Sequence, residues 1–299
     1  PLAAVVDIDD AASDRLVIHD DLGTHRSYTW TLSPDPEAVE RAFAEATHHI
    51  DERYVQQRLI PVAMETRGVA AVPGVYGGDL TVYSSTQIPH ILKVMIAATC
   101  GVPEQKVRVI APAVGGGFGS KLDVYAEEFI AVALARRLGV PARWTEGRSE
   151  NSVATIQGRG QIQHMELAAD AEGKVTAVRA NLTVDMGAYM QLVTPGIPLL
   201  GAFLYHGVYD VPAYHFECTG VFTNRTPTDA YRGAGRPEAT YALERAMDAL
   251  ARAVGVDGPE IRRRNYIAPD KFPYTSIAGL TYDAGNDEPS LERALELIG

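Results

Sequence analysis

The sequence predicts an α+β fold, and three observations carry that expectation. Two long alternating stretches between Gln161 and Tyr189 meet at Ala171-Glu172-Gly173, which is the turn chemistry of a β-hairpin. Helical stretches are mixed with these antiparallel strands, unlike the pattern of a doubly wound sheet. No long linker or low-complexity run divides the 299 residues.

The elements follow in order. "SPDPEAVERAFAEATHHI" has Asp35 to cap a helix, Pro36 at its first position, and Val39, Phe43 and Ala46 on one face; His48-His49 is expected at the helix end. "DLTVYSSTQIPHILKVMIAATCG" opens as a strand, turns at Ser84 to Gln87, and continues as a helix from Pro89 that Gly101 ends. "KVRVIAPAV" is a strand running into a glycine-rich loop, after which a helix is expected from Asp123 to Leu138, stopped by Gly139. From "PARWTE" the period changes toward the hairpin, and "PAYHFECTGVFTN" is a further strand. "TPTDAYRGAGRPEATYALERAMDALARAVG" repeats the glycine-loop-then-helix arrangement, with Gly233 and Gly235 in the loop and Gly255 as the stop. The tail adds two short helices, "GPEIRRRN" and "EPSLERALELIG", around an aromatic loop.

Bulk properties exclude several functions. At 46% hydrophobic and 22% charged residues the composition is that of an ordinary soluble protein. A formal net charge of -11 with no basic run argues against nucleic acid as a partner. Cys100 and Cys218 stand far apart and form no C-x-x-C pair, which removes a four-cysteine zinc or iron–sulfur site and points to a reducing, cytoplasmic compartment. The 8 histidines offer no H-x-x-x-H pair. No stretch approaches the ~20 apolar residues of a membrane span, and no signal core is visible. The opening at Pro1 without a methionine is what a fragment or a processed product would have.

The chemical interest lies in "VGGGFGSKLDVYAEEF", from Val114. Bare backbone before a helix suits an anion, because unpaired N–H groups there can be approached closely. The common nucleotide loops do not fit: counted from Gly115, Ser120 stands where a P-loop needs glycine and Leu122 where it needs a hydroxyl. Ser120 also takes the third glycine's place in a dinucleotide fingerprint. The loop is therefore either a tight turn or an anion cradle of another kind. With Gly233 to Gly235 before a second helix, two such loops could embrace one ligand.

"TQIPH", "VGGGFGSK" and "DAYRGAGRPEA", in this order, resemble the molybdenum-binding subunit of the xanthine dehydrogenase and aldehyde oxidase family. The similarity covers nearly the whole chain, through "EGRSEN" at Glu146, "DMGAY" at Asp185, "TGVFTN" at Thr219, "RRRNYI" at Arg262 and "GLTYDAGN" at Gly279. Within the family the chain is most similar to large subunits of carbon-monoxide-dehydrogenase type in the branch with AYRGAGR. The resemblance implies residues 1–30 as the remnant of a preceding hammerhead-like domain with its linker, and 31–299 as the first molybdenum-cofactor-binding domain.

It also implies a molybdenum-pterin cofactor, in the cytosine dinucleotide form, whose metal is held by the pterin dithiolene and by no protein side chain. Gln87 would donate its side-chain amide to the metal's oxo group. Gly116, Gly117, Phe118 and Gly119 would line one side of it, Phe118 also walling the substrate pocket. Arg232, Gly233 and Ala234 would present backbone to the other side. Read singly, Gln87 could instead cap the Pro89 helix, Phe118 could be core, and Arg232 could pair with Asp229 or Glu238.

Departures from the family's patterns narrow the substrate. Carbon monoxide oxidisers carry a copper-binding cysteine where Gly233 stands, and a soft thiolate is what holds copper(I). Purine oxidisers carry glutamate at the position of Leu122 and phenylalanine at that of Ala234. What remains is a small organic substrate, an aldehyde or an aromatic N-heterocycle, hydroxylated with water as oxygen source. The resemblance implies a glutamate base in the C-terminal half of the subunit, beyond Gly299; Glu127, Glu128 and Glu238 lie on helices after the loops, solvated or paired, and the 299 residues alone are expected to be inactive. Iron–sulfur and FAD partner subunits, in a dimer of heterotrimers, would take the electrons. Carbon monoxide oxidation, or a scaffold or assembly protein without catalysis, are the alternatives.

Overall fold

The computed structural model describes residues 3–74 and 78–299. Pro1 and Leu2, the start of the segment assigned to a preceding domain, lie outside the described residues. The chain builds two mixed sheets, each with its own core. The larger is formed by β1 (Arg26–Leu32), β2 (His48–Leu59), β7 (Gly158–Ala169), β8 (Val175–Asp185) and β9 (Tyr214–Val221), in the spatial order β1-β9-β8-β7-β2. The smaller is formed by β3 (Gly68–Pro73), β4 (Leu80–Ser84), β5 (Val107–Ile110) and β6 (Ala142–Thr145), in the order β5-β4-β3-β6. The α+β expectation holds.

The β7–β8 pair is the hairpin read from the sequence. Its turn is tied by Asp170, whose carboxylate accepts the N–H groups of Glu172 and Lys174 at 3.1 and 2.8 Å. Period two sorts the side chains of β7: Met165 and Leu167 face one core, Ile162 and Ala168 the other side. On the first face lies α7 (Arg236–Val254), inserting Leu243, Met247 and Leu250 among Leu182, Tyr205 and Phe216. On the opposite face α1 (Ile8–Ala12) covers Ile162 and Val221, while Val39 of α2 (Pro36–Glu45) covers Ala168 and Ala177. Among the described residues of the first thirty, α1 packs on the large sheet, and β1 is one of its edges.

On the small sheet, α3 (Pro89–Cys100) and α4 (Ala126–Leu138) bury Leu92, Ile96, Val132 and Ala135 against Val69, Ala71 and Val82. Gly101, Gly139 and Gly255 end their helices in the left-handed conformation as anticipated. Two expectations need correction. His48-His49 opens β2 and ends no helix: α2 stops at Glu45, and His48 pairs with Ala169. The helix after the first glycine loop begins at Ala126, not Asp123, because the preceding residues turn back on the loop through Leu122 N–H to Gly119 C=O, 2.9 Å.

The two sheets are joined at α5 (Arg148–Ala154) by a buried network. Glu146 accepts from Arg67 Nη2 at 2.6 Å and Nε at 3.0 Å, from Asn151 at 2.8 Å and from Thr155 at 2.9 Å. The "EGRSEN" signature is therefore the joint between the sheets. The remainder is α6 (Gly196–Gly201), α8 (Gly258–Asn265), the short ribbon of β10 (Tyr274–Thr275) with β11 (Thr281–Tyr282), and α9 (Glu288–Ile298). Among the described residues no helix is long and apolar enough to cross a membrane.

Candidate functional site

The two glycine loops come from different sheets and meet. The first leaves β5 of the small sheet, and the second connects β9 of the large sheet to α7. They are bonded directly, Arg232 N–H donating to Phe118 C=O at 2.8 Å. The approach is so close that a Cβ on Gly119, at φ +105, would overlap the carbonyl of Ala230. Phe118 and Ala234, neither of them glycine, are held at φ +56 and +43. A left-handed conformation costs a non-glycine residue about 1–2 kcal/mol, and such residues gather at functional sites.

A third segment, the turn after β4, is stitched to the first loop. Gln87 N–H donates to Lys121 C=O at 2.8 Å, and the Gln87 side-chain oxygen accepts from Gly119 N–H at 3.0 Å and Lys121 N–H at 3.3 Å. A Cβ on Gly117 would fall on that same oxygen. With its oxygen engaged, Gln87 keeps its NH2 group without a partner among the described residues. It caps no helix, since the helix N-cap is Ile88 without a side-chain bond.

Lys121 does not serve a ligand. It is 2% exposed, and its ammonium bonds Glu65 at 2.7 Å, the same carboxylate oxygen that accepts Gly115 N–H at 2.7 Å. Burial works against the Glu65 charge, yet the bonds from Lys121 and Gly115 hold its carboxyl below the ordinary range. The pair pins the start of the loop.

What remains free is backbone. The N–H groups of Gly116, Gly117 and Phe118 in the first loop, and of Gly233 and Gly235 in the second, have no acceptor among the described residues. Phe118 is 43% exposed and so is not core. Arg232 is exposed and makes no ion pair among the described residues; Asp229 is occupied by Thr194 at 2.8 Å and Glu238 by Arg159 at 3.0 Å. Nor is there a group of three or more His, Cys, Asp or Glu side chains among the described residues that could hold a metal ion. The site offers N–H donors, one amide and an exposed aromatic ring, which suits a group bearing oxo or anionic oxygens.

The three glutamates after the loops are all engaged. Glu127 pairs with Arg67 at 3.1 Å. Glu128 accepts from Ser84 at 2.6 Å and from Tyr125 N–H at 3.0 Å, burial raising its carboxyl above the usual range. Glu238 is fully buried, one oxygen paired with Arg159 and the other without a hydrogen-bond partner among the described residues.

One part of the site escaped sequence reasoning. The segment after β8, Tyr189 to Thr194, is gripped from both loops: Asp123 accepts Leu192 N–H at 3.3 Å, and Asp229 accepts Val193 N–H at 3.3 Å as well as the Thr194 hydroxyl. Burial, and then the Asp229 charge, push the Asp123 carboxyl up to about 7. Tyr189 and Leu192 are left exposed. "DMGAY" was the only signal in this region, and its Asp185 is buried, bonding Thr223 and Gly187 N–H.

Comparison with known proteins adds to this geometry. The family model for the molybdopterin cofactor-binding domain matches residues 18–266. The carbon monoxide dehydrogenase large chain of Hydrogenophaga pseudoflava is 35% identical, over 99% of this chain and 39% of its own length. The nicotine 6-hydroxylase large subunit of Paenarthrobacter nicotinovorans is 37% identical, over 87% of this chain and 32% of its own length. The crystal structure of quinoline 2-oxidoreductase from Pseudomonas putida 86 matches with a TM-score of 0.92 and 32% identity, over 99% of this chain and 38% of that one. The chain thus spans 32–39% of the length of these relatives.

Proposed function

Because the chain belongs to the molybdopterin cofactor-binding domain family, we propose that it forms one lobe of the site in a molybdenum hydroxylase subunit that oxidises an aldehyde or an aromatic N-heterocycle. The observation that carries this reading is the set of N–H groups without an acceptor among the described residues on two loops that touch each other. When bound, the molybdenum-pterin group supplies two-electron redox chemistry with water as the oxygen source.

The chain's own residues bind and orient. Gln87 donates its NH2 to an oxygen of the group, its carbonyl being already held by Gly119 and Lys121. Gly116, Gly117, Phe118 and Gly119 line one side with Gly119 N–H held by Gln87, and of Arg232, Gly233 and Ala234 on the other side only Gly233 keeps its N–H for the group, since those of Arg232 and Ala234 are held by the Phe118 and Tyr231 carbonyls. Backbone donors fixed by the fold need no reorganisation as charge develops. The exposed Phe118 ring walls the substrate's approach. None of Glu127, Glu128 and Glu238 is free to be a base, and we assign that role outside these 299 residues.

Two features support the substrate class. Gly233 has φ +101, and a Cβ there would run into the Pro237 ring, which disfavours a copper-binding thiolate at this position. Leu122 and Ala234 cannot hydrogen-bond a purine. The names of two relatives, a nicotine hydroxylase and a quinoline oxidoreductase, fit a heterocycle. In the same reading the cofactor is the cytosine dinucleotide form, iron–sulfur and FAD subunits are the partners in a dimer of heterotrimers, and residues 1–30 lead in from a preceding domain to the cofactor domain of 31–299. Elemental analysis of the complete complex tests this: molybdenum without copper is expected, copper in equal amount would return carbon monoxide oxidation, and no molybdenum would leave only a scaffold.

A further inference from the structure

The second glycine loop is steered by a side chain that no sequence motif singled out. Arg159, at the start of β7, points its guanidinium at that loop: Nη1 donates to Tyr231 C=O at 3.3 Å and Nη2 to Arg232 C=O at 3.2 Å. The guanidinium lies 4.6 Å from the centre of the Tyr231 ring, and Nη1 also pairs with the buried Glu238 at 3.0 Å. The backbone is bent to make this contact. Arg159 is left-handed at φ +65, followed by Gly160 at φ +70, and a Cβ on the preceding Gly158 would overlap Tyr231. A non-glycine residue adopts that conformation at a cost of about 1–2 kcal/mol.

The consequence lies in peptide geometry. In a trans peptide the C=O and the following N–H point in opposite directions within one plane. The Tyr231 carbonyl, held by Arg159 together with Ala234 N–H at 2.8 Å, aims Arg232 N–H the other way, where it bonds Phe118 C=O at 2.8 Å and closes the two loops together. Fixing the Arg232 carbonyl likewise aims Gly233 N–H away from Arg159, and that N–H is one of the donors without an acceptor among the described residues. A cation on the carbonyl end also polarises each peptide and strengthens its N–H as a donor.

We propose that Arg159 is a positioning residue for the cofactor, orienting two successive peptides of the second loop so that one locks the loops together and the other presents Gly233 N–H to the bound group. The proposal rests on the functional reading given above. Glu238 only neutralises the guanidinium, so the two residues separate in a test.

The experiment uses the complete complex carrying Arg159→Lys, Arg159→Gln or Glu238→Gln, with molybdenum per subunit and the Mo(V) paramagnetic resonance signal after dithionite reduction as readouts that need no substrate. Lysine keeps the charge beside Glu238 but cannot span both carbonyls. Both Arg159 variants are expected to lose molybdenum occupancy about 10-fold or more, or to shift the Mo(V) signal of what remains, as outer-shell partners of metal sites do. Glu238→Gln is expected to lower the melting temperature and leave the signal unchanged. Wild-type occupancy and signal in Arg159→Lys would overturn the inference while leaving the functional reading intact. It would also be overturned if both Arg159 variants failed to assemble while Glu238→Gln assembled, for Arg159 would then be a folding residue. A wild-type complex without molybdenum would defeat the functional reading itself, and this inference with it.

Discussion

The side-chain oxygen of Gln87 accepts the N–H of Gly119 at 3.0 Å, so the amide we propose as a donor to the cofactor is also a brace of the first glycine loop. The two halves of the side chain have separable duties. Gln87→Glu keeps the acceptor and deletes the donor; it is expected to fold with a melting temperature close to wild type and to lose molybdenum. Gln87→Ala deletes both and is expected to cost about 1 kcal/mol in addition. Parallel melting curves and metal analyses check this, and equal molybdenum in wild type and Gln87→Glu would show that the amide donates to nothing that matters.

Gly119→Ala tests the closure between the loops. The added methyl would overlap the carbonyl of Ala230, which belongs to the other loop, and φ +105 would strain any side chain. The loops must part, breaking the bond from Arg232 N–H to Phe118 C=O. A loss of about 2–4 kcal/mol is expected, together with loss of cofactor. Urea unfolding with metal analysis measures both; an unchanged midpoint would mean that the loops do not depend on each other.

What the sequence made legible was local. The β7–β8 hairpin announced itself because its turn chemistry and its period-two pattern agree, and Asp170 completes the turn within five residues. β2 stayed hidden because only Ile50 and Tyr54 of "HHIDERYVQQRL" are both apolar and buried; neighbours in the sheet decide such a strand more than its own pattern does. The glycine loops were visible as composition, but not their braces. Glu65 reaches Lys121 across 56 residues, Asp123 reaches Leu192 across 69, and Arg159 reaches Arg232 across 73. A single sequence contains no signal for such pairs, since each residue taken alone passes for an ordinary polar side chain. The resemblance supplied the site's residues; the structure supplied what holds them.

The joint between the sheets predicts acid sensitivity. Glu146 has its side chain fully buried, and although burial opposes its charge, the bonds from Arg67 hold its carboxyl below the ordinary value. A depressed folded-state pKa stabilises above the unfolded value, near 4.5, and that stability is lost as pH falls through the folded value. Glu146→Gln leaves a buried guanidinium with Glu127 as its one counter-charge among the described residues and is expected to cost about 3 kcal/mol at pH 7. Its deficit should shrink below pH 4.5, where the wild type loses the same interaction. A deficit independent of pH would assign the loss to packing instead.

Asp123 carries the opposite sign. Its carboxyl is pushed up to about 7, first by burial and then by Asp229, from an ordinary value of 3.8. Between those pH values the folded state keeps a proton that the unfolded chain has released, so this group's contribution falls as pH rises and is flat above the window. The span corresponds to about 4 kcal/mol at most. Asparagine cannot titrate, yet its oxygen can still accept the N–H groups of Val124 and Leu192, and its NH2 replaces a carboxylate oxygen that is buried without a hydrogen-bond partner among the described residues. Asp123→Asn is therefore expected to unfold at higher urea than wild type at pH 8, with the advantage fading toward pH 5. An advantage of equal size at both pH values would mean that Asp123 is not the group that titrates, and would move attention to Asp229, whose carboxyl burial raises on the other side of the same segment.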